Sequence, residues 1–159
     1  MGNKTHKSLE FDSLAQEVYL NLWRTYDRLR AMEEAVFGPH GITSQQYNVL
    51  RLLAANHPDP MPTLTIANRM ISKSPDITRM LDKLEVGAWI LRTRPLENRR
   101  TVLISITSLG LALIAEIAEP LQQCHEKQLG HLSRQELNQL ALLLRSARKP
   151  HEQEKKLWS

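Results

Sequence analysis

Cysteine and glycine are both scarce in this sequence of 159 residues, and each scarcity excludes a class of protein. A single cysteine, Cys124, cannot form an internal disulfide framework and fits a reducing cytoplasm. Six glycines leave little for the glycine-rich loops that hold nucleotide phosphates. The sequence also lacks a nucleophile-elbow motif and an HExxH motif, so we do not expect an enzyme.

Long hydrophobic runs and clustered metal ligands are missing as well. No apolar run approaches the roughly 20 residues of a membrane-spanning helix, so we expect a cytoplasmic protein with no membrane partner. The six histidines are scattered without metal-ligand spacing, and we expect no required metal or other cofactor. Cys124 has only His125 and Lys127 as basic neighbours, which favours an inert, partly buried thiol.

The positive charge of the chain is confined to one segment. Residues 63–107 contain eight basic and four acidic residues, whereas the other 13 basic and 13 acidic residues cancel. The whole net charge of +4 therefore falls within this segment. A local excess of this kind is what a phosphate backbone attracts, although a solvated charged face would give the same count.

Apolar residues at helical spacing predict two helices before the basic segment. Ser13 and Thr43 each have a glutamine three residues later, which is the spacing of a capping box. The first helix should end at Gly38-Pro39, and the second should run to about Ala55. Prolines at 58, 60 and 62 then exclude helix and favour an extended connector.

Two short helices and two strands are predicted within the basic segment. The third helix should follow Thr63, and the fourth should begin at the Ser74-Pro75 turn, where proline is favoured, and run to about Val86. Two short helices joined by a tight polar turn have the form of a helix-turn-helix. Residues 89–94 and 101–106 then predict a two-stranded hairpin that packs beside it as a wing.

The two last predicted helices are strongly apolar and lie far in sequence from the basic segment. One is capped by Thr107 and the other by Ser133 with Glu136. Their apolar stripes, like that of the first helix, favour a homodimer interface over a compact monomer. We therefore expect a mainly α fold with a small β-hairpin, that is, a winged helix-turn-helix with N- and C-terminal dimerisation helices.

This order of elements predicts one folded domain with short extensions. A flexible arm is expected at 1–11, a single domain at 12–149 and a tail at 150–159. Within the domain, 12–38 and 107–149 are interpreted as dimerisation helices, and 43–106 as the winged helix-turn-helix lobe.

Four stretches of the sequence resemble the multiple-antibiotic-resistance regulator (MarR) family of winged helix-turn-helix repressors. They are residues 42–50, 66–70, 74–85 and 98–107, and their order and spacing together are specific. The resemblance implies a homodimeric transcriptional regulator that binds a pseudo-palindromic operator in double-stranded DNA. It further implies a repressor of nearby genes that a small molecule relieves. The alternatives are a winged-helix module for protein contacts and a regulator without an effector.

The fourth helix and the hairpin tip supply the candidate DNA contacts. Arg79 lies opposite the apolar stripe of its helix and should face the major groove, unless it pairs with Asp76 or Asp82. By resemblance, Arg100 is the wing arginine, and a narrow minor groove attracts arginine. Arg92 and Arg94 are expected to add charge to the same hairpin. The candidate DNA-binding residues are Ser72, Lys73, Ser74, Asp76, Thr78, Arg79, Lys83, Arg94, Asn98, Arg99 and Arg100.

Two positions depart from the family pattern. Asn98 stands where the family usually has an aspartate that helps to hold the wing arginine, and Glu97 is the candidate substitute. Ala88 stands where the family usually has glycine, and we expect Gly87 to take over the left-handed position at the helix end.

The resemblance also implies a small aromatic or phenolic effector, bound between the dimerisation helices and the DNA-binding lobe. Core and interface packing is the alternative for every candidate side chain. The candidate lining residues are Trp23, Tyr26, Phe37, His40, Tyr47 and Arg51.

Overall fold

The computed structural model describes residues 11–72 and 76–152, and this part of the chain is mainly helical with a small sheet, as predicted. Six α-helices are present in it. They are α1 Leu14–Phe37, α2 Ser44–Asn56, α3 Thr63–Arg69, α4 Ile77–Val86, α5 Ser108–Leu129 and α6 Arg134–Arg148. The strands are β1 Met61–Pro62, β2 Ile90–Thr93 and β3 Leu103–Ile106.

Parts of the predicted arm and tail, residues 1–10 and 153–159, lie outside the described residues. The predicted DNA contacts Lys73 and Ser74 lie outside them too, as does Pro75. No described helix is long and apolar enough to cross a membrane.

Side-chain caps start α1, α2 and α6 where the sequence predicts them. The Thr43 hydroxyl accepts from the Gln46 N–H while the Gln46 side chain accepts from the Thr43 N–H, and Ser133 forms the same reciprocal box with Glu136. Ser13 accepts from the Gln16 N–H at 3.1 Å, but the Gln16 side chain accepts from the N–H of Asp12 instead. Each cap satisfies helix N–H groups that have no partner within the helix.

Helix α4 begins at Ile77, so the predicted start at Ser74-Pro75 is wrong. Asp76 is its N-cap, and its Oδ1 accepts from the Arg79 N–H at 2.9 Å. A short carboxylate side chain competes well for this position, because it satisfies an otherwise unpaired amide and lies at the positive end of the helix dipole.

The sheet has three antiparallel strands in the order β1-β3-β2, not the two that the sequence predicts. Met61 pairs with Ile104 and Pro62 with Leu103, so the proline-rich connector supplies the missed edge strand. Proline has no N–H to donate, and an edge strand tolerates it for that reason. Both hairpin strands are shorter than predicted, at four residues each.

The turn after α4 corrects the expectation for Gly87. Gly87 has a φ of −72°, and Ala88 itself takes the left-handed conformation with a φ of 58°. The Ala88 N–H donates to the Glu85 carbonyl and the Trp89 N–H to the Leu84 carbonyl, which is the Schellman pattern with Ala88 at its left-handed position. A Cβ on Gly87 would lie 2.6 Å from the Trp89 ring, so packing explains that glycine.

The hydrophobic core lies under the winged lobe and extends along α5. Leu50 and Leu53 of α2, Leu84 of α4, Ile104 of β3 and Ile117 of α5 are all almost fully buried in one cluster. This core fixes α4 and the sheet side by side, with their outer faces exposed. Helix α6, by contrast, contains no buried residue.

Candidate nucleic-acid interface

Helix α4 presents a polar face away from the core. Met80, Leu81 and Leu84 are buried on its inner side, whereas Thr78, Arg79 and Lys83 are exposed. The predicted orientation of Arg79 thus agrees with the geometry of the helix. A two-turn exposed basic face is the shape that fits a DNA major groove.

The acidic neighbours of Arg79 are engaged elsewhere. Asp76 caps α4, and Asp82 forms an ion pair with Arg92. The ion pairs found within residues 11–72 and 76–152 do not include Arg79, Lys83, Arg99 or Arg100. These side chains therefore keep their charge available to an external anion.

Arg92 is turned towards α4 and does not add to the exposed charge of the hairpin, which corrects the expectation for this residue. Its Nη1 lies 2.6 Å from Asp82 Oδ1 and 3.4 Å from Glu85 Oε2. Its Nη2 donates to the Thr78 carbonyl at 3.3 Å. Sequence reasoning missed this contact because it depends on how the strand packs on the helix.

The hairpin tip is held by its own hydrogen bonds. Asn98 Oδ1 accepts from the Arg100 N–H at 3.2 Å, and Arg94 Nη1 donates to the Arg99 carbonyl at 3.1 Å. Asn98 therefore holds the backbone at the wing arginine. Glu97, the candidate substitute for the family aspartate, appears in no ion pair of the described residues. The Arg99 and Arg100 side chains remain exposed.

A groove of about 870 Å³ separates the hairpin from the two short helices. Arg94 and Arg100 line it on the hairpin side, and Thr63, Leu64 and Thr78 on the helical side. Thr78 of α4 thus shares this groove with the two hairpin arginines. Arg79 and Lys83 line a separate groove of about 380 Å³ between α4 and the start of α2.

The turn between α3 and α4 is supported from α2 by residues that sequence reasoning missed. Gln45 Nε2 donates to Ser72 Oγ at 3.3 Å, and Asn48 Oδ1 accepts from the Ile71 N–H at 3.2 Å. Gln45 and Asn48 are three residues apart and so share a face of α2. The sequence signal that could have indicated this support is a pair of polar residues at helical spacing next to the buried residues of α2.

The six candidate effector residues do not share one crevice within a single chain. Tyr26 and Phe37 line a groove of about 450 Å³ together with Arg30, Glu34 and the start of α2. Tyr47 packs on the Phe37 ring in the core, with centroids 4.9 Å apart.

The remaining three effector candidates lie apart from that groove. Trp23 lines a separate groove of about 510 Å³ near Phe11. His40 Nδ1 lies 3.7 Å from Glu116 Oε1, and Arg51 is exposed.

Two aspects of the electrostatics bear on chemistry at these sites. Burial raises the pKa of Tyr47, with a smaller opposing effect from Arg51. Burial also raises the pKa of the Cys124 thiol, and Glu33 adds to that effect. A protonated, buried thiol is a poor nucleophile, in agreement with the inert role expected for it. No metal-binding group of His, Cys, Asp or Glu occurs in the part of the chain that the structure describes.

The sequence and the fold both match one family of known proteins. The MarR family profile matches residues 42–102. A MarR transcription factor of known structure from Planctomyces limnophilus is 52% identical, with a TM-score of 0.69, over 85% of this chain and 98% of its own. This chain belongs to the MarR family. The resemblance predicted from the sequence is thereby confirmed, and the protein is a DNA-binding transcriptional regulator, not an enzyme.

Two further MarR-related proteins are informative for comparison. The homoprotocatechuate degradative operon repressor of Escherichia coli is 27% identical over 105 residues, which are 66% of this chain and 70% of that repressor. The second is Bordetella bronchiseptica BpsR, whose DNA binding is regulated by 6-hydroxynicotinic acid. Its solved structure aligns with 87% of this chain and with 97% of the BpsR chain. It is 20% identical with a TM-score of 0.76, which indicates a common fold.

Proposed function

We propose that this regulator is a homodimeric repressor acting in the cytoplasm, and that a small aromatic effector releases it from a pseudo-palindromic operator. The observation that carries the proposal is the positive charge on the exposed faces of α4 and the hairpin tip, which forms no ion pair with any residue in 11–72 or 76–152. The family supplies a precedent for repression in the E. coli repressor to which this chain is similar.

In this proposal each copy reads DNA with two elements. Arg79 enters the major groove with Thr78 and Lys83 beside it. Its planar guanidinium donates two hydrogen bonds to the edge of a guanine base. Arg99 and Arg100 lie against the minor groove or its phosphates, where negative potential is greatest when the groove is narrow. Asp76 acts indirectly as the cap of α4. The other proposed contacts are Ser72, Lys73, Ser74, Arg94 and Asn98.

The proposed dimer is supported by apolar side chains that one chain leaves exposed. Leu14 and Trp23 of α1 are 74% and 61% exposed, and Leu142 and Leu143 of α6 are 61% and 58% exposed. Exposed apolar residues of this size on one helix face favour an interaction surface. A two-fold dimer through residues 12–38 and 107–149 buries them and sets two recognition helices about 34–36 Å apart, one turn of B-DNA.

For the effector we propose the groove beside Tyr26 and Phe37. Its volume of about 450 Å³ suits a small molecule, and its wall combines aromatic rings with the Arg30–Glu34 ion pair, which is 2.8 Å long. An aromatic ring packs on Tyr26, and an acidic substituent competes with Glu34 for Arg30. In the dimer, Trp23, His40, Tyr47 and Arg51 would complete or support the site. No further cofactor is needed for this mechanism.

The DNA-binding part of the proposal is tested by fluorescence anisotropy with a duplex from upstream of the gene, titrated over a salt series. We expect affinity to fall steeply with salt. Arg100→Gln should reduce the slope of log K against log salt by about two, because both copies of the proposed dimer lose the contact. Lack of binding at low salt, or a slope unaffected by Arg100→Gln, would contradict the proposed contacts.

The effector part is tested separately, by adding 6-hydroxynicotinic acid and related hydroxylated aromatic acids to the preformed complex. We expect at least one to release the DNA from the wild type and to act more weakly on Arg30→Gln. If none of them changes the affinity at millimolar concentration, the effector proposal fails while DNA binding stands.

A further inference from the structure

Arg92 connects the hairpin to α4, the proposed recognition helix, through polar contacts. It lies on β2, and its guanidinium contacts the Thr78 carbonyl, Asp82 and Glu85 of α4. These three residues are spaced by four and three, so they form one stripe along the helix. A single guanidinium therefore contacts α4 at three successive positions of this stripe.

The charge around Arg92 argues against a role as a phosphate ligand. Two carboxylates surround one guanidinium, and the Arg92 side chain is only 25% exposed. To contact DNA, the guanidinium would have to leave both acids and the Thr78 carbonyl. The planar fork of arginine makes several such contacts at once, which the point charge of a lysine cannot do.

We propose that Arg92 is a positioning residue that fixes the hairpin relative to α4, so that Arg79 and Arg100 reach adjacent grooves together. This rests on the proposed binding mode, in which α4 and the hairpin tip contact the same duplex. Because the two elements are tied at Thr78 and at Asp82, freeing the hairpin reduces affinity without removing a DNA contact. The geometry thus assigns Arg92 to holding the hairpin against α4, and other arginines make the phosphate contacts.

The experiment compares full-length wild type with Arg92→Lys, Arg92→Gln and Asp82→Asn by anisotropy over a salt series. Arg92→Lys keeps the charge but loses the fork, and we expect it to bind about tenfold more weakly. Arg92→Gln should weaken binding to a similar extent with the salt slope unchanged, since no phosphate contact is lost. The matched control is Arg69→Lys at an exposed arginine of the same lobe, which should bind as the wild type does.

Thermal unfolding separates positioning from a general loss of structure. A partly exposed ion pair adds little to stability, so we expect the melting temperature of Arg92→Lys to stay close to that of the wild type. Asp82→Asn, which removes the charge from the helix side of the same ion pair, should also weaken binding although it removes a negative charge. That sign is opposite to the one expected if Arg92 were released to bind phosphate.

Each other outcome overturns the inference. A salt slope lowered by about two in Arg92→Gln, one for each copy, or tighter binding by Asp82→Asn would make Arg92 a phosphate ligand. Wild-type affinity in Arg92→Lys would make it a bystander. A melting temperature that falls in parallel with affinity would assign it to folding alone. Wild type that fails to bind would overturn the proposed binding mode itself, and the inference with it.

Discussion

Ala88 takes the backbone conformation that glycine prefers, with a φ of 58°. A residue with a Cβ is strained there by roughly 1–2 kcal/mol. The strain persists because two backbone bonds of the Schellman turn and the Thr107 hydroxyl, which donates to the Ala88 carbonyl at 2.7 Å, hold the turn. The family pattern places the left-handed residue at position 88, which is correct. The neighbouring Gly87 suggested that this conformation moves to position 87, but Gly87 has a φ of −72° and is explained by its packing on Trp89.

We predict that Ala88→Gly stabilises the protein. Relief of the left-handed strain is partly offset by the greater flexibility of glycine in the unfolded chain, which leaves a net gain of about 0.5–1 kcal/mol. The midpoint of urea unfolding measures it. The control is Gly87→Ala, which should destabilise because its Cβ would lie 2.6 Å from the Trp89 ring. Destabilisation by Ala88→Gly would contradict this account.

Asn98 is the second residue whose role follows from a contact that the sequence did not specify. Its side-chain oxygen holds the Arg100 N–H at 3.2 Å, so it organises the turn that carries the wing arginine. An aspartate would offer the same acceptor, which explains how asparagine can replace the usual family residue.

We predict that Asn98→Ala weakens DNA binding by about 2- to 10-fold, the equivalent of one net hydrogen bond of roughly 0.5–1.5 kcal/mol. Asn98→Asp keeps the acceptor and should bind close to wild type. Anisotropy at one fixed salt concentration compares the two. Equal affinities for Asn98→Ala and wild type would show that the turn does not depend on this bond.

At the scale of elements, local sequence signals predicted most helix starts. They missed the strand that exists only through pairing with a distant part of the chain. Thr43, Thr107 and Ser133 cap their helices as expected, because a cap is a contact within four residues. Strand β1 was missed because its two residues include Pro62, and only pairing with the distant β3 makes it a strand. The start of α4 was misplaced because Pro75 and Asp76 are competing helix-start signals next to each other.

The support of the α3–α4 turn by α2 yields a prediction at this scale. Asn48→Ala removes the acceptor for the Ile71 N–H, so the turn that leads to the recognition helix should open more often. We expect faster amide exchange at Ile71 and several-fold weaker DNA binding. Asn48→Asp keeps the acceptor and serves as the control. If exchange at Ile71 is unchanged in Asn48→Ala, the turn is held by other contacts.

At the scale of the whole molecule, the surfaces that a second copy would cover stay a prediction from the sequence. The apolar stripes of α1 and α6 are visible as periodicity, and Leu140 and Leu143 of the α6 stripe are exposed in one chain. The groove that we propose for an effector was less predictable. Tyr26 and Tyr47 are the same residue type, yet Tyr26 lies in the wall of the groove and Tyr47 lies in the core. Composition does not determine which side of a helix faces a cavity.

We predict that Leu143→Glu weakens or abolishes the dimer, because it places a charge in an apolar interface. Sedimentation velocity at micromolar concentration measures the change, and affinity for a two-site duplex should fall with it. Val86→Glu, at a residue that is 89% exposed at the end of α4, is the control that should remain dimeric. A wild type that sediments as a monomer would contradict the dimer proposal, and a Leu143→Glu variant that remains dimeric would exclude this face.

The central claim is that the exposed face of α4 reads base sequence through Arg79. Its most direct test is the ratio of affinities for the upstream duplex and for a scrambled duplex of equal length, measured for wild type and Arg79→Gln at the same salt. Loss of a bidentate guanine contact should lower that ratio by roughly 5- to 150-fold for each of the two copies in the dimer, the equivalent of about 1–3 kcal/mol per contact. A ratio unchanged by Arg79→Gln would contradict the claim, even if both affinities fell.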